Sequence, residues 1–179
     1  LETPVTFPDA TTADQAGTTT NLGVPGRMMN TYVNVDGQDK IHFTHSYSDG
    51  NGDNRLLLAR LNVTNENFVY KTFGLEDWDY ATPWIMPWAA NAASWDGSAL
   101  VAFSRVTSTT FPSFRCVVGH PVDGWSPGGS VGIKGGESHI QNTRWGDYIG
   151  GGWREGQSDP ECWVYGQYGL GNAYGTWLA

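Results

Sequence analysis

Two Asp-Gly pairs, Asp36-Gly37 and Asp96-Gly97, stand 60 residues apart, and the same succession of strand, tight turn, strand, polar loop and strand surrounds each. Asp-Gly between alternating apolar runs marks a hairpin, because the central residues of its turn need a positive φ that Gly and Asp tolerate. A third copy opens at Asn142-Thr143-Arg144-Trp145-Gly146-Asp147-Tyr148-Ile149-Gly150. It runs on through an aromatic stretch, Glu161-Cys162-Trp163-Val164-Tyr165-Gly166-Gln167-Tyr168. A chain that repeats several short strands every roughly 40–60 residues builds small sheets, and a small sheet cannot bury both faces alone. It has to stack on its neighbours.

Alternation and turn signals place strands at residues 28–35, 40–47, 55–61, 65–73, 99–105, 113–119, 131–134, 148–153 and 162–168, with a last short segment at 174–179. Within 40–47, Ile41, Phe43, His45 and Tyr47 share one face; His42, Thr44 and Ser46 share the other. Leu56-Leu57-Leu58 is apolar on both faces, as in a strand held between two neighbours. Residues 65–73 and 131–134 read as edge strands, and 75–87, dense in Trp and Pro, as a loop. Residues 1–24 read as an irregular lead-in, disordered over its first half, with a short strand at Val5-Thr6-Phe7. The expected fold is all-β: a partial β-propeller of about three antiparallel blades at residues 25–75, 76–136 and 137–179. A β-sandwich is the alternative, since it also produces many short strands and turns.

The composition agrees. In 179 residues there are 24 Gly and 9 Trp, while charged residues make up 16%, which is not a disordered signature. A net charge of -8 argues against nucleic acid or an anionic membrane as partner, because both require a basic face. That acidity serves solubility, cation binding or a secreted habitat. No apolar run approaches the roughly 18 residues of a membrane span. The chain opens without Met or a signal segment, so residue 1 is expected to be a processed or truncated end. Cys116 and Cys162 each fall in an expected strand; they are either a disulfide of an exported protein or two free thiols, and no CxxC or Cys/His cluster suggests zinc.

Several runs carry a resemblance: Trp95-Asp96-Gly97 to Ser104-Arg105, Phe111-Pro112-Ser113, Lys134-Gly135-Gly136-Glu137, Arg144-Trp145-Gly146-Asp147-Tyr148, Cys162-Trp163 to Tyr168, and Gly175-Thr176-Trp177. Together they resemble the C-terminal blades of secreted bacterial propeller proteins of the sialidase-like (BNR-repeat) class. The Arg-Trp-Gly-Asp-Tyr run is the most specific part. The resemblance implies a propeller fold and a secreted, periplasmic or extracellular location. It implies fold more than activity. Asp boxes of the form Ser-x-Asp-x-Gly-x-x-Trp are absent, with Ser94-Trp95-Asp96-Gly97 as a remnant. Members of the class also carry about twice as many blades. Three blades do not close a ring, so the chain is expected to meet further blades on another polypeptide: a companion fragment, a subunit or a symmetry mate. Otherwise it covers its own edges.

Four residues near the third copy are candidates for chemistry: Glu137, Arg144, Asp147 and Tyr148, with His139 nearby. A carboxylate beside a Tyr and an Arg serves acid/base work or anion binding, while the same groups paired with each other merely pin a loop. A sialidase mechanism needs three arginines on one carboxylate plus a Tyr-Glu pair, and the arginines here are scattered. Trp78, Tyr80, Trp84 and Trp88 form an aromatic cluster suited to stacking on sugar rings or to packing under a loop. Asp49, Asn51 and Asp53 alternate oxygen ligands as calcium loops do, which makes calcium the one cofactor the sequence raises. Asn54 and Arg60 stand where such a loop has its glycine and its closing acid. His42 and His45 point to opposite faces and do not share a metal easily. Asn62-Val63-Thr64 is a glycosylation sequon. Two functional readings follow: a binding and assembly module for glycans or a partner chain that completes the ring, or part of a sialidase-like glycoside hydrolase or other hydrolase whose active site another chain completes.

Overall fold

The computed structural model describes residues 7–25, 28–34, 40–87, 99–119, 129–143, 145–146, 149–154 and 161–179. Three antiparallel sheets follow one another along the chain. The first holds β1 (Met28–Asn34), β2 (Lys40–Ser48), β3 (Asn54–Asn62) and β4 (Asn67–Phe73); the second holds β5 (Asp79–Pro87), β6 (Ala99–Thr107), β7 (Thr110–Gly119) and β8 (Val131–Lys134). The third holds β9 (Gly150–Trp153), β10 (Cys162–Leu170) and β11 (Ala173–Leu178). In each sheet the spatial order is the chain order, so every connection within a sheet joins neighbouring strands. Both Asp-Gly pairs lie outside the described residues. They fall between the first and second strands of their sheets, where Asn34 pairs with Lys40 and Pro87 with Ala99.

Sheets stack through their faces. Leu56 and Leu58 of β3 and Phe73 of β4 meet Tyr80 and Ile85 of β5, Ala99, Val101 and Phe103 of β6, and Val117 of β7. Phe73, Tyr80 and Phe103 form a ring triad with centroids 5.4 to 5.5 Å apart. Such tilted and edge-on pairs add about 0.5–1.5 kcal/mol each beyond area burial. The alternate residues of β6, Leu100 and Ala102, turn the other way and join Phe114 of β7 and Val164 of β10. Period two therefore splits one apolar strand between two interfaces. A third cluster closes one end. There Ala13, Leu22 and Val24 of the lead-in pack on Ala81, Val106, Ile140 and Trp145.

Two features depart from the sequence reading, and a third settles what it left open. Residues 75–87 are mostly strand rather than loop: β5 accommodates Pro83 in a register shift between Ala81 and Trp84, where Thr82 takes φ 48°. A proline donates nothing to a ladder, so a strand keeps it only at such an irregularity. The lead-in is irregular, yet it is placed from Phe7 onward. The Ser48 amide donates to Pro8 O, Ala13 and Leu22 exchange backbone bonds, and the Phe7 ring sits 5.1 Å from that of Tyr47. Finally, it is the polar face of β2 that is sealed. His42, Thr44 and Ser46 are buried, and the Thr44 hydroxyl donates to Leu57 O over 2.8 Å. β5 lies against β2, and short hydroxyl side chains suit an approach of one strand to another.

Candidate functional site

The turn between β2 and β3 and the start of β5 gather the polar groups that draw the first two sheets together. Asp49 and Asp53, expected in a cation loop with Asn51, both face Arg55: its Nη2 lies 3.0 Å from Asp49 Oδ2 and 3.1 Å from Asp53 Oδ2. Asp49 Oδ1 accepts from the amides of Asn51 (2.8 Å) and Asp53 (3.3 Å), an Asx turn. Asp53 Oδ2 also accepts from the Asp77 amide across the sheet boundary at 2.9 Å. Burial pushes the Asp49 carboxyl upward, but the Asn51 amide and the Arg55 guanidinium outweigh it and hold the group below its ordinary range. Two carboxylates are thus committed to one guanidinium. Among the described residues no group of three or more His, Cys, Asp or Glu side chains is arranged to hold a metal ion.

Asp79 and Asn54, the latter met in the sequence only as the residue in place of a calcium loop's glycine, form the buried half of this junction. Asp79 Oδ1 accepts from Asn54 N at 2.9 Å and from Asn54 Nδ2 at 2.6 Å, while Asn54 Oδ1 accepts from the Thr11 amide at 2.8 Å. Burial raises the Asp79 carboxyl above its ordinary range, partly offset by the Asn54 bonds. The lead-in, β3 and β5 are latched at one point. Only the Asp before an apolar run hinted at this in the sequence.

The aromatic candidates separate. Tyr80 is wholly enclosed in the ring triad and is no stacking platform. Trp78 packs on the same cluster with Arg105 Cζ 3.7 Å from its ring centre. Trp84 is half-buried between the second and third sheets. Trp88 lies outside the described residues. Packing took Tyr80 and Trp84 because β5 is a strand with the first sheet against one face and the third against the other, not a loop.

Of the acid/base candidates, Arg144, Asp147 and Tyr148 lie outside the described residues. Glu137 is exposed and receives Lys134 Nζ at 2.5 Å, while its amide donates to Gly169 O at 2.8 Å. Lys134 Nζ also lies 4.9 Å from the ring centres of Tyr168 and Trp177. The Glu137 hydrogen bond raises the Lys134 pKa. Glu137 thereby ties the end of β8 to the third sheet. In the Arg-Trp-Gly-Asp-Tyr run, Trp145 is buried, and the Gly146 amide donates to Gln167 Oε1 at 2.6 Å. Gly146 has φ 74°, and a Cβ there would overlap Thr82, so both conformation and space require glycine. His42 is buried and His45 half-buried, on opposite faces of β2. Asn62 ends β3, its Oδ1 accepting from the Thr64 amide at 3.0 Å.

A surface remains that no single candidate pointed to. On β10 Trp163 and Tyr165 turn away from the second sheet, and Leu178 of β11, paired with Tyr165, lies on the same side. Trp163 is 58% exposed, Tyr174 48% and Leu178 62%, with Tyr165 also exposed, which makes the outer face of the third sheet an uncovered aromatic surface. Beside it lies an open cleft of about 330 Å³ lined by Arg154, Glu161, Cys162, Trp163 and Ala179. Arg154 Nη1 and Glu161 Oε2 close its rim at 2.7 Å. The signal was present as alternation in 162–168, but the sequence does not say which face is covered.

Comparison of the chain with family models, with curated proteins and with solved structures finds no match.

Proposed function

We propose that this chain is a three-sheet segment of a β-propeller that works as a binding and assembly module, with a second copy of the chain supplying the sheets that complete the ring. Two kinds of observation support the propeller. Each sheet is a meander in chain order. β5, the first strand of its sheet, also lies beside β1 on one side and β9 on the other, as first strands do around a common axis. The observation that carries the assembly role is the bare outer face of Trp163, Tyr165, Tyr174 and Leu178. Both interfaces inside the chain bury such a face against the next sheet. Monomers rarely leave a contiguous aromatic surface uncovered without a partner for it. At the opposite end, the outer face of the first sheet offers half-buried Phe43 and Phe68, stacked at 6.0 Å, beside exposed Tyr70. Joining the third sheet of one copy to the first of another, twice, gives a closed two-fold ring. Two copies hold six sheets, within the roughly four to eight that propellers use.

Sedimentation over a wide concentration range tests this. The expected result is a dimer that the double variant Trp163→Glu/Leu178→Glu converts to a folded monomer, with far-UV circular dichroism unchanged. A chain that stays monomeric throughout, or a dimer indifferent to the double variant, overturns the proposal.

A further inference from the structure

The seam between the second and third sheets holds both cysteines of the chain. Cys116 of β7 and Cys162 of β10 pack against one cluster of Leu100, Ala102, Phe114 and Val164. Period two puts Cys116 on the Phe114 face of β7, and Cys162 on the face of β10 that carries Val164 and Gly166. Those faces meet without a gap, since a Cβ on Gly166 would overlap the Phe114 ring. Further along, a Cβ on Gly169 would lie 3.3 Å from Pro112 Cδ. β10 therefore crosses β7 with Gly166 at Phe114; two residues further along each strand Cys116 comes to Val164, and Cys162 is the next residue on that face of β10. Both are free thiols. Burial pushes both above the ordinary thiol range, and for Cys116 the neighbouring Cys162 adds to the effect. Cys162 is half-buried rather than sealed, and it borders the open cleft beside Arg154 and Trp163.

We infer that Cys116 and Cys162 form an exchangeable thiol pair, which a small-molecule disulfide of the glutathione type converts into a bond stapling the third sheet to the second. The Cys162 thiolate attacks one sulfur of the small disulfide; that S–S bond breaks, and one thiol leaves with the electron pair and takes up a proton. The Cys116 thiolate then attacks the Cys162 sulfur of the mixed disulfide and expels the second small thiol. Two protein thiols are oxidised and one disulfide is reduced to two thiols. This step does not depend on the assembly proposed above.

The test incubates the full chain with oxidised glutathione at mildly alkaline pH, blocks remaining thiols and digests with trypsin. Cleavage after Arg115, Lys134 and Arg154 puts the two cysteines in different peptides. The expected product is one cross-linked peptide pair, two hydrogens lighter than its parts. Because the bond closes a long loop, Tm should rise by about 5–10 °C relative to the reduced chain. Cys116→Ser should instead retain one glutathione on Cys162. Separate glutathione adducts on both cysteines of the parent chain, disulfides between chains only, or two thiols left unreacted would each overturn the inference.

Discussion

β6 and β10 are interior strands of their sheets, both rich in apolar residues, yet they meet different surroundings. β6 is covered on two sides: Ala99, Val101 and Phe103 face the first sheet, Leu100 and Ala102 the third. β10 is covered on one. Val164 and Gly166 lie under the second sheet, whereas Trp163 and Tyr165 stand free. The difference comes from what lies beyond each sheet, not from the hydrophobicity of the strand. It locates an aromatic surface that no described residue of the chain covers.

The largest effect that tests the contrast is loss of a ring from a covered face. Phe103→Ala removes a wholly buried member of the ring triad and should cost about 3–5 kcal/mol. Trp163→Ala, a bigger deletion on the uncovered face, should leave monomer stability within about 0.5 kcal/mol. Urea denaturation of both variants, below any concentration at which the chain associates, measures the pair. Equal losses would mean that the outer face of β10 is covered after all.

Much of the architecture was legible in the sequence. Alternation marked β2, β6, β7 and β10, and β8 falls at 131–134 as expected. The errors have physical causes. Two prolines and two tryptophans made 75–87 look like a loop, because proline speaks against a ladder and the register shift that absorbs Pro83 depends on β6. Ala13 and Leu22 sit in a Thr-rich lead-in without periodicity, and residues far along the chain, Ala81, Val106, Ile140 and Trp145, make them core. The site was harder to read. Asp49 and Asp53 stood out as oxygen ligands, but Arg55, two residues beyond, claims both, and Asp79 latches Asn54 only after two sheets have stacked. Exposure of Trp163 cannot be inferred from β10 alone, since the same alternation would suit a strand covered on either side.

The junction of the first two sheets offers a second contrast, in how stability depends on pH. Asp79 is raised by burial, so the native state keeps a proton that the unfolded chain has already lost. Its contribution favours folding most below the unfolded pKa and is lost as pH rises through the folded value. Asp49 is the reverse: burial opposes ionisation, but the Asn51 amide and Arg55 win, and its folded pKa is depressed. Its contribution is present above the unfolded pKa and is lost as pH falls through the folded value. Against the parent chain, Asp79→Asn should therefore gain in relative stability as pH climbs across the carboxylate range. Asp49→Asn should be the weaker protein at neutral pH and draw level in acid. Denaturation at a series of pH values measures both. Parallel profiles for the two variants would show that Asp79 is as well solvated as Asp49, and that this interface is open.

The smallest effects come from two glycines on opposite faces of the third sheet. Gly166 of β10 lies under Phe114, and a methyl group there would overlap the ring. Gly166→Ala has to push Phe114 aside in a seam already filled by Leu100, Ala102 and Val164. Overpacking of that kind costs about 1–3 kcal/mol. Gly152 of β9 pairs with Trp163 on the uncovered side, and nothing lies within 4 Å of a Cβ built there. Its φ is outside the left-handed region, so Gly152→Ala meets no backbone strain. It narrows the unfolded ensemble and should stabilise the chain by about 0.4–1 kcal/mol. Differential scanning calorimetry resolves both signs. The Gly152 result has a further use once chains associate: if a second sheet seats on Trp163 and its neighbours, the added methyl falls inside the new interface. Gly152→Ala would then stabilise the isolated monomer while weakening the dimer, a reversal that a role confined to one chain does not produce.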